Sequence, residues 1–340
     1  MSSASHLARP LVVWVLAAGL AASAGASAQT ARPGNGAPVK ITYDSTAESL
    51  FQTDIVAIGL ERLGYDVKPI VPLEIPAMYL AASTGDVDLT ASAWEPLQNA
   101  YFDKVGGNGQ LGRVGQLIVG ATQGYYVDAK TAKAHGITSV AQLSDPGVAA
   151  LFSDDGKGKA QLFGCPPGWG CELAIEHQLD AYKLRPRVNH VQGDMGVLAS
   201  EIIARYKSGN PVLYYTYNPY WVSQVLVPGA DVVQLTVPFT SLPAPTDPKL
   251  TTLPDGRNIG FTVNTIEVVG NRHFLETNPA AKKWLSLVTI PVQDVIAENY
   301  QVYKGEKSEQ DIRKHAEAWV SQHAQQVDAW LAEASKATAQ

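Results

Sequence analysis

Hydrophobic and polar positions follow two alternating periods in the first part of the chain. Residues 39–45 (VKITYDS) have the short apolar run of a strand. Residues 46–65 place Leu and Ile side chains at helical spacing, and Gly64 is a helix stop signal. Residues 88–93 (DLTASA) again form a strand, which runs into Trp94. This part of the chain therefore predicts a strand, a helix and a further strand.

The same alternation continues to the end of the chain. Further extended segments are predicted over residues 66–73, 118–128, 211–221, 231–239 and 260–271, and helices within 137–152, 190–209 and 278–334. Strands that alternate with helices favour parallel sheets covered by helices. The pattern therefore predicts an α/β protein.

Length and composition restrict the class of protein further. The chain has 340 residues, of which 46% are hydrophobic and 17% charged, so it has enough apolar surface to fold. A chain of this length favours two globular lobes, because single cores stop growing at smaller sizes. The formal net charge of -6 argues against nucleic acid and anionic membranes as partners.

Residues 1–28 have the pattern of a secretory signal peptide. A thin basic start containing Arg9 precedes the apolar run Leu11–Ala22, and the small residues 26–28 form a cleavage pattern. The alternative is a membrane anchor, but a bilayer span needs about 20 apolar residues. Residues 29–38 then read as a flexible leader. We expect an exported, soluble protein, most simply in a bacterial periplasm.

The two cysteines lie close together in the segment GCPPGWGCE. In an oxidising compartment Cys165 and Cys171 are expected to close a disulfide, and two free thiols are the alternative. The intervening prolines and glycines predict a sharply shaped loop with Trp169 at its tip. A helix is predicted to follow over residues 172–179. The backbone N–H groups of Gly170 and Cys171 would then be free to hold an anion.

The motifs of common enzymes are missing or misplaced. Residues 107–112 match GxGxxG by letter, but they do not follow a predicted strand, as a dinucleotide site requires. The sequence has no HExxH and no GxSxG, and its histidines are scattered without metal-ligand spacing. We therefore expect no enzyme activity, no bound metal and no cofactor.

Three aromatic residues share a local pattern beside Pro or Gly at strand ends or loop tips: Trp94, Trp169 and Tyr217. Loops at the carboxyl ends of strands are where ligands bind in open α/β sheets. Aromatic faces around one point recognise a quaternary ammonium group, which cannot donate a hydrogen bond. Ordinary hydrophobic packing is the alternative for each ring. Packing is the favoured interpretation for three neighbouring aromatic residues, Tyr214, Tyr220 and Trp221.

These segments identify a family. The chain resembles the periplasmic glycine betaine/proline betaine-binding proteins of ABC uptake transporters from about residue 39 to about residue 335. The most specific matches are ESLFQTDIVAIGLERLGY, GATQGYYVDAKTA, GCPPGWGCELAIEHQLDAY, ARYKSGNPVLYYTYNPYWVS and the helical tail from NPAAKKW to DAWLAEA.

The resemblance implies a fold and a mode of action. The expected fold is an α/β, two-lobed, type II-like binding protein, with a mixed sheet flanked by helices in each lobe and a hinged cleft. Lobe I is expected over residues 39–125 plus 238–340, and lobe II over 126–237. The protein would bind a betaine, shift between open and closed forms, and deliver the ligand to an ABC permease as a monomer.

The resemblance also assigns roles to single positions. Trp94 and Trp169 match cage tryptophans, the amides of Gly170 and Cys171 match the donors to the ligand carboxylate, and Cys165–Cys171 matches the family disulfide. Two positions depart from the pattern. The third cage position, a Trp in well-known members, is Tyr217, and the polar carboxylate partner, a His, is Gln98.

Other functions stay open at this point. One alternative is a receptor for another small zwitterion or quaternary amine, such as choline, carnitine or an amino acid. An exported hydrolase for such ligands would need a nucleophile and a base, which the sequence does not pair. A sensory or scaffold protein could bind the same ligand and signal to a different partner.

Overall fold

The computed structural model describes Met1, residues 32–154 and residues 158–337. The predicted signal peptide, residues 1–28, lies outside the described residues apart from Met1, and so do residues 29–31 of the predicted leader. The chain from Arg32 onward is one compact unit. None of its described helices combines the length and hydropathy that crossing a bilayer requires.

The described residues form strands and helices in alternation, as the sequence pattern predicts. The strands are β1 (Pro38–Val39), β2 (Ile41–Tyr43), β3 (Asp66–Val67), β4 (Val71–Pro72), β5 (Leu89–Glu95), β6 (Leu111–Asp128), β7 (Ala160–Phe163), β8 (Val188–Val191), β9 (Leu213–Asn218), β10 (Val232–Gln234) and β11 (Asn264–Asn271). The α-helices are α1 (Leu50–Arg62), α2 (Ile75–Thr84), α3 (Asn99–Lys104), α4 (Ala129–His135), α5 (Pro146–Ala150), α6 (Gly170–Ala181), α7 (Met195–Lys207), α8 (Val222–Val225), α9 (Arg272–Thr277), α10 (Pro279–Leu287), α11 (Val292–Lys304), α12 (Glu309–Gln322) and α13 (Ala324–Ala334). Short 3₁₀ segments cover Ala47–Ser49, Gly107–Gly109, Val140–Ser144 and Pro248–Thr251.

The main sheet is mixed rather than parallel. Its strand order is β4-β2-β5-β11-β6-β9-β7-β8, with β10 beside β6, and β1 pairs separately with β3. The predicted parallel pairing is correct for β2 with β4 and β5, and for β7 with β8 and β9. It is wrong for β6 and β11, which run antiparallel to each other and to their other neighbours. A mixed sheet is what the family resemblance implies.

Strand β6 connects the two halves of the sheet by changing partners. Residues 111–121 pair with β11, whereas Thr122–Val127 pair with β9 and Tyr126–Asp128 with β10. The sequence predicts only residues 118–128 of this strand, because glycines and polar residues break the apolar pattern of its first part. The letters GxGxxG fall on a 3₁₀ turn and the start of β6, not between a strand and a helix.

Apolar side chains form two large buried clusters. One contains residues of α1, the first half of β6 and the C-terminal helices α10–α13. The other contains residues of β7, β9, α6 and α7, and also residues of α2. Close packing in the first cluster depends on Gly59, where a Cβ would lie 2.0 Å from the ring of Trp284. The Trp284 indole Nε1 also donates a hydrogen bond to the Val56 carbonyl at 3.0 Å.

Candidate functional site

The three predicted cage residues lie together although they are far apart in the sequence. The ring centroids of Trp94 and Tyr217 are 5.4 Å apart, and their planes are nearly perpendicular at 87°. Trp169 lies 6.2 Å from Tyr217 at an angle of 55°. These are edge-to-face and tilted ring contacts, as aromatic pairs prefer, and all three residues line one cavity.

Each cage residue is held by the element that carries it. Trp94 lies near the end of β5, where it is paired with Ile266 of β11. Tyr217 belongs to β9, and its ring stacks on Tyr220 at 4.8 Å. Trp169 is the residue before α6 and follows Gly168, whose positive φ of 83° shapes the turn.

The amides of Gly170 and Cys171 are the first two N–H groups of α6. Trp169, at the N-cap, provides no side-chain hydrogen bond to the helix end. In the described part of the chain, neither of the two amides donates a hydrogen bond. Free N–H groups at a helix N-terminus, aided by the helix dipole, favour a negatively charged group. The structure therefore leaves two aligned donors beside the aromatic walls.

Gly170 also allows a close approach between two segments. A Cβ at this position would lie 2.7 Å from Leu97 Cγ and 2.8 Å from the Leu97 carbonyl oxygen. A hydrogen bond also joins these two segments: the Tyr101 hydroxyl donates to the Gly168 carbonyl at 2.7 Å. These contacts join the end of α6 to residues that follow β5.

The disulfide Cys165–Cys171 is present and confirms that prediction. Its loop is further held by His190, whose Nε2 lies 3.4 Å from the Cys165 backbone N–H. Because a backbone N–H can only donate, Nε2 accepts and Nδ1 carries the proton that it shares with Glu176 Oε1 at 2.6 Å. Burial lowers the pKa of His190, which favours this neutral ring.

Gln98 is oriented by two donors. The Trp94 backbone N–H and the Tyr79 hydroxyl both lie within hydrogen-bond distance of Gln98 Oε1, at 3.2 and 3.0 Å. Since the backbone N–H must donate, Oε1 is the acceptor, and the amide group NH₂ is left to donate elsewhere. Gln98 is buried and lines the same cavity as the cage. It can therefore offer a neutral donor where the family pattern has a His.

One cavity brings all six predicted site residues together. It has a volume of about 40 Å³, several times the space that one buried water needs. The predicted residues that line it are Trp94, Gln98, Trp169, Gly170, Cys171 and Tyr217. A larger crevice of about 630 Å³ adjoins it and shares Thr46, Glu48 and Trp169 with its lining. Their role in ligand binding stays a prediction.

The sequence analysis missed a polar group of lining residues. They come from the segment after β2, from α1 and from α11: Asp44, Thr46, Glu48, Ser49, Gln52 and Asn299. A signal for most of them was present in the sequence. The run DSTAES begins at the end of the predicted strand, and the carboxyl ends of strands are where ligands bind in such sheets.

Two carboxyl groups dominate the electrostatics of the cavity. Asp44 is buried and accepts hydrogen bonds from the Ser49 hydroxyl at 2.7 Å and from the Thr46 backbone N–H at 3.1 Å. Burial nevertheless raises the pKa of Asp44. Burial also raises the pKa of Glu48, to about 7, although the Trp221 indole Nε1 donates to Glu48 Oε1 at 3.0 Å.

The described residues offer no site for a metal ion. No group of three or more His, Cys, Asp or Glu side chains among them is arranged to hold a metal. The residues that line the cavity supply aromatic rings, free amide donors and carboxyl acceptors. Such groups can bind a small charged molecule from several sides.

Comparison with known proteins assigns the chain to a class. Residues 37–322 match the family described as "OpuAC: Substrate binding domain of ABC-type glycine betaine transport system". The chain therefore belongs to this family of substrate-binding domains. The glycine betaine-binding periplasmic protein OusX of Dickeya dadantii (strain 3937) is 44% identical over 299 residues, which cover 88% of this chain and 90% of that protein.

A second curated relative gives the same result. The glycine betaine/proline betaine-binding periplasmic protein of Escherichia coli (strain K12) is 44% identical over 302 residues, covering 89% of this chain and 91% of that protein. These relatives are periplasmic, in agreement with the location predicted from the sequence.

Solved structures with low sequence identity show the same fold. Lactococcal OpuAC, crystallised in its closed-liganded conformation with glycine betaine, has a TM-score of 0.66 at 20% identity and covers 87% of this chain and 99% of its own. An ABC-transporter choline-binding protein in complex with choline has a TM-score of 0.69 at 17% identity, with 87% and 92% covered. The predicted two-lobed binding-protein fold is therefore confirmed.

Proposed function

We propose that this chain is the periplasmic substrate-binding component of an ABC importer and that it binds glycine betaine or proline betaine for osmoprotectant uptake. The observation that carries the proposal is that one cavity is lined by groups suited to a cation and by groups suited to an anion. Aromatic walls at Trp94, Trp169 and Tyr217 suit a methylated ammonium group. Free amides at Gly170 and Cys171 suit a carboxylate.

The two ends of a betaine match these elements in chemistry. A quaternary ammonium cannot donate hydrogen bonds, so it is bound by aromatic faces, each of which contributes about 0.5–2 kcal/mol. The carboxylate accepts hydrogen bonds from the Gly170 and Cys171 amides and from the Gln98 amide group. Tyr217 provides a face with a weaker negative potential than Trp would, and Gln98 donates without a positive charge.

The proposed cleft lies between two lobes, residues 39–125 plus 238–340 and residues 126–237. The contacts described above support this division, because each joins a residue of one proposed lobe to a residue of the other. Trp94 contacts Tyr217, Leu97 approaches Gly170, and the Tyr101 hydroxyl donates to the Gly168 carbonyl. A ligand that binds both lobes shifts the population toward the closed form.

The proposed partners are the ligand and the permease of an ABC transporter. We propose that the protein acts as a monomer, binds no nucleic acid and has no enzyme activity. The family assignment to transport supports the absence of catalysis. The negative net charge of the chain argues against a nucleic-acid partner.

Calorimetric titration of ligand-free protein with glycine betaine tests the proposal. We expect one binding site per chain and a change in tryptophan fluorescence. Substitution of Trp94 or Trp169 by Leu should weaken binding by about 2- to 30-fold, the loss of one aromatic wall. Trp330→Leu is the matched control, because Trp330 packs near Trp284 at 6.3 Å, away from the cavity. Wild-type affinity in both cage variants would contradict the proposal.

A further inference from the structure

A second cavity lies next to the candidate site and has a mostly apolar lining. Its volume is about 320 Å³, which is within the range of about 300–1,000 Å³ that is common for pockets that bind small organic molecules. We call it the leucine pocket, after four residues of its lining: Leu97, Leu173, Leu242 and Leu250. Leu173 and Leu250 are 38% and 56% exposed, so the pocket offers apolar surface to a ligand.

The walls of the leucine pocket come from α6, from the segment after β5 and from the loop of residues 242–250. The base of this loop is fixed by hydrogen bonds. The hydroxyl groups of Thr240 and Thr251 lie 2.5 Å apart, and Asn258 Nδ2 donates to Thr240 Oγ1 at 3.0 Å. The pocket is therefore built from elements that are held in place on each side.

Gln123 of β6 gives the leucine pocket a hydrogen-bond donor without an acceptor. The residue lines the pocket and is 1% exposed. Its Oε1 accepts from the Tyr215 hydroxyl at 2.6 Å, whereas among the described residues nothing accepts from Nε2. Buried donors are nearly always hydrogen-bonded, since leaving one unpaired costs free energy. A ligand with a hydrogen-bond acceptor would supply the missing partner.

The charge of the lining restricts the class of ligand. Of the described residues that line the leucine pocket, only Asp247 is charged. It is exposed, and its carboxylate already accepts from the Lys249 backbone N–H at 2.9 Å. An anion would therefore meet no opposite charge there, and burying an unpaired charge is costly. A carbonyl oxygen accepts a hydrogen bond without carrying a charge.

The leucine pocket is connected to the candidate site through shared residues. Leu97 and Gly170 line both cavities, and they belong to different proposed lobes. The ring of Tyr215, whose hydroxyl bonds Gln123, lies 6.5 Å from the ring of Tyr217. A molecule in the leucine pocket therefore contacts the segments that meet at the cage. Two ligands that favour the same arrangement of these segments strengthen each other's binding, and this coupling is reciprocal.

We propose that the leucine pocket is a second ligand site, that it takes a neutral, mostly apolar carbonyl compound, and that its occupation tightens the binding of glycine betaine. The apolar part of the ligand packs against the leucines, and its carbonyl oxygen accepts a hydrogen bond from Gln123 Nε2. The site itself is independent of the proposed function. Only the coupling rests on it, because the coupling is read from glycine betaine.

Two probes test the role of the carbonyl group. Propiophenone and propylbenzene share one carbon skeleton, and the carbonyl group of the first replaces a CH₂ group of the second. Calorimetric titration of the full chain measures the ratio of their affinities in the wild type and in Gln123→Met, which has a side chain of similar length without the donor. The ratio should shift about fivefold against propiophenone in the variant, the effect of one hydrogen bond.

Comparison of ratios cancels the different transfer of the two probes from water and any loss of stability that affects both. Gln325→Met is the matched control and should keep the wild-type ratio, since Gln325 is exposed on α13. The same ratio in Gln123→Met as in the wild type would overturn the assignment of Gln123 as the donor.

A second variant tests the location of the probes. Ala244 is exposed and lines the leucine pocket, so Ala244→Trp adds a large ring to its wall. We expect both probes to bind at least tenfold more weakly to this variant, with circular dichroism showing that it is folded. Undiminished binding to folded Ala244→Trp would place the probes elsewhere and overturn the inference.

Titration of glycine betaine with and without saturating propiophenone tests the coupling. We expect glycine betaine to bind about fivefold more tightly in its presence. Weaker binding would mean that the ketone occupies the candidate site itself, and unchanged binding would mean that the two sites are independent. Either result would overturn the coupling.

The outcomes also separate the inference from the proposed function. If the wild-type protein bound glycine betaine but neither probe, the inference would fail and the proposed function would stand. If it bound propiophenone through Gln123 but did not bind glycine betaine, the second site would stand and the proposed function would fail.

Discussion

The indole N–H of Trp221 donates a hydrogen bond to the carboxyl group of Glu48 at 3.0 Å. Glu48 belongs to proposed lobe I and Trp221 to proposed lobe II, so this bond would bridge the proposed cleft. The ring of Trp221 also stacks on Tyr303 at 4.3 Å and 17°. Trp221 thus makes a polar and an aromatic contact with residues of the other proposed lobe.

Trp221→Phe should weaken ligand binding by about fivefold, the effect of one net hydrogen bond of about 1 kcal/mol. The change removes the indole N–H but keeps an aromatic ring to stack on Tyr303. Because the bond joins the two proposed lobes, its loss should destabilise the proposed closed form and lower the apparent affinity. Titration with glycine betaine measures this effect. Tyr303→Leu is the complementary variant, because it removes the ring stacking and leaves the hydrogen bond. Unchanged affinity in Trp221→Phe would show that the hydrogen bond does not contribute to closure.

The carboxyl group of Glu48 should also make stability depend on pH. Burial raises its pKa from 4.5 to about 7 in the folded protein. Between these values the folded state holds more protons than the unfolded chain, so the free energy of unfolding falls as pH rises from about 4.5 to about 7. Glu48→Gln should remove up to about 3 kcal/mol of this decline.

Urea unfolding at pH 4.5 and pH 7.5 measures this difference. Other buried acids, including Asp44 and Asp54, have raised pKa values and contribute to the decline in both proteins. The comparison of wild type with Glu48→Gln therefore isolates one group. If the two proteins lost the same stability between the two pH values, Glu48 would not titrate as its environment implies.

Gly170→Ala should reduce ligand affinity by more than tenfold with a small effect on the fold. An added Cβ would lie 2.8 Å from the Leu97 carbonyl oxygen, and backbone atoms cannot move aside as a flexible side chain can. Alanine is otherwise well suited to the first turn of α6, so the cost falls on the approach of the two lobes. Gly109→Ala is the matched control, because a Cβ there meets nothing within 4 Å.

Most of the helices and strands can be predicted from local patterns of apolar residues in the sequence. The helix of residues 46–65 and the helical tail have strong apolar periodicity, and the structure contains α1 and α10–α13 there. The short strands β7 and β8 were not predicted, because four residues carry too little of an alternating pattern. The pairing of β11 between β5 and β6 depends on contacts between distant segments, which no local pattern encodes.

Some residues of the candidate site can likewise be predicted from local sequence signals, and others cannot. Trp94, Trp169 and Tyr217 stand out because large aromatic residues beside Pro or Gly at strand ends are unusual for a core. Gln52 and Asn299 give no such signal, since each is a single polar residue within a helix. They reach the cavity only because α1 and α11 pack side by side, and that packing is a property of the whole fold.

Gln98→Glu should distinguish recognition of the ligand's carboxylate from recognition of its ammonium group. The new carboxylate can still accept from the Trp94 N–H and the Tyr79 hydroxyl, which now bond Gln98 Oε1. It replaces the free amide donor by a negative charge, which repels a ligand carboxylate. We expect glycine betaine to bind at least tenfold more weakly, while choline, which has no carboxylate, loses less. Equal losses for the two ligands would mean that Gln98 does not face the carboxylate.

Removal of the disulfide tests how far the loop organises the amide donors. The double substitution Cys165→Ser and Cys171→Ser opens a loop of sequence separation 6 but keeps the backbone N–H of residue 171. A loop this short contributes roughly 2 kcal/mol to stability by loop-closure entropy, so urea unfolding should show a loss of about that size. Glycine betaine affinity should fall as well, since the turn that holds Trp169 and the Gly170 amide becomes less restricted. Because His190 still bonds the Cys165 amide and Glu176, the loss of affinity should be partial. A variant that lost stability but bound glycine betaine like the wild type would show that α6 alone orients the donors.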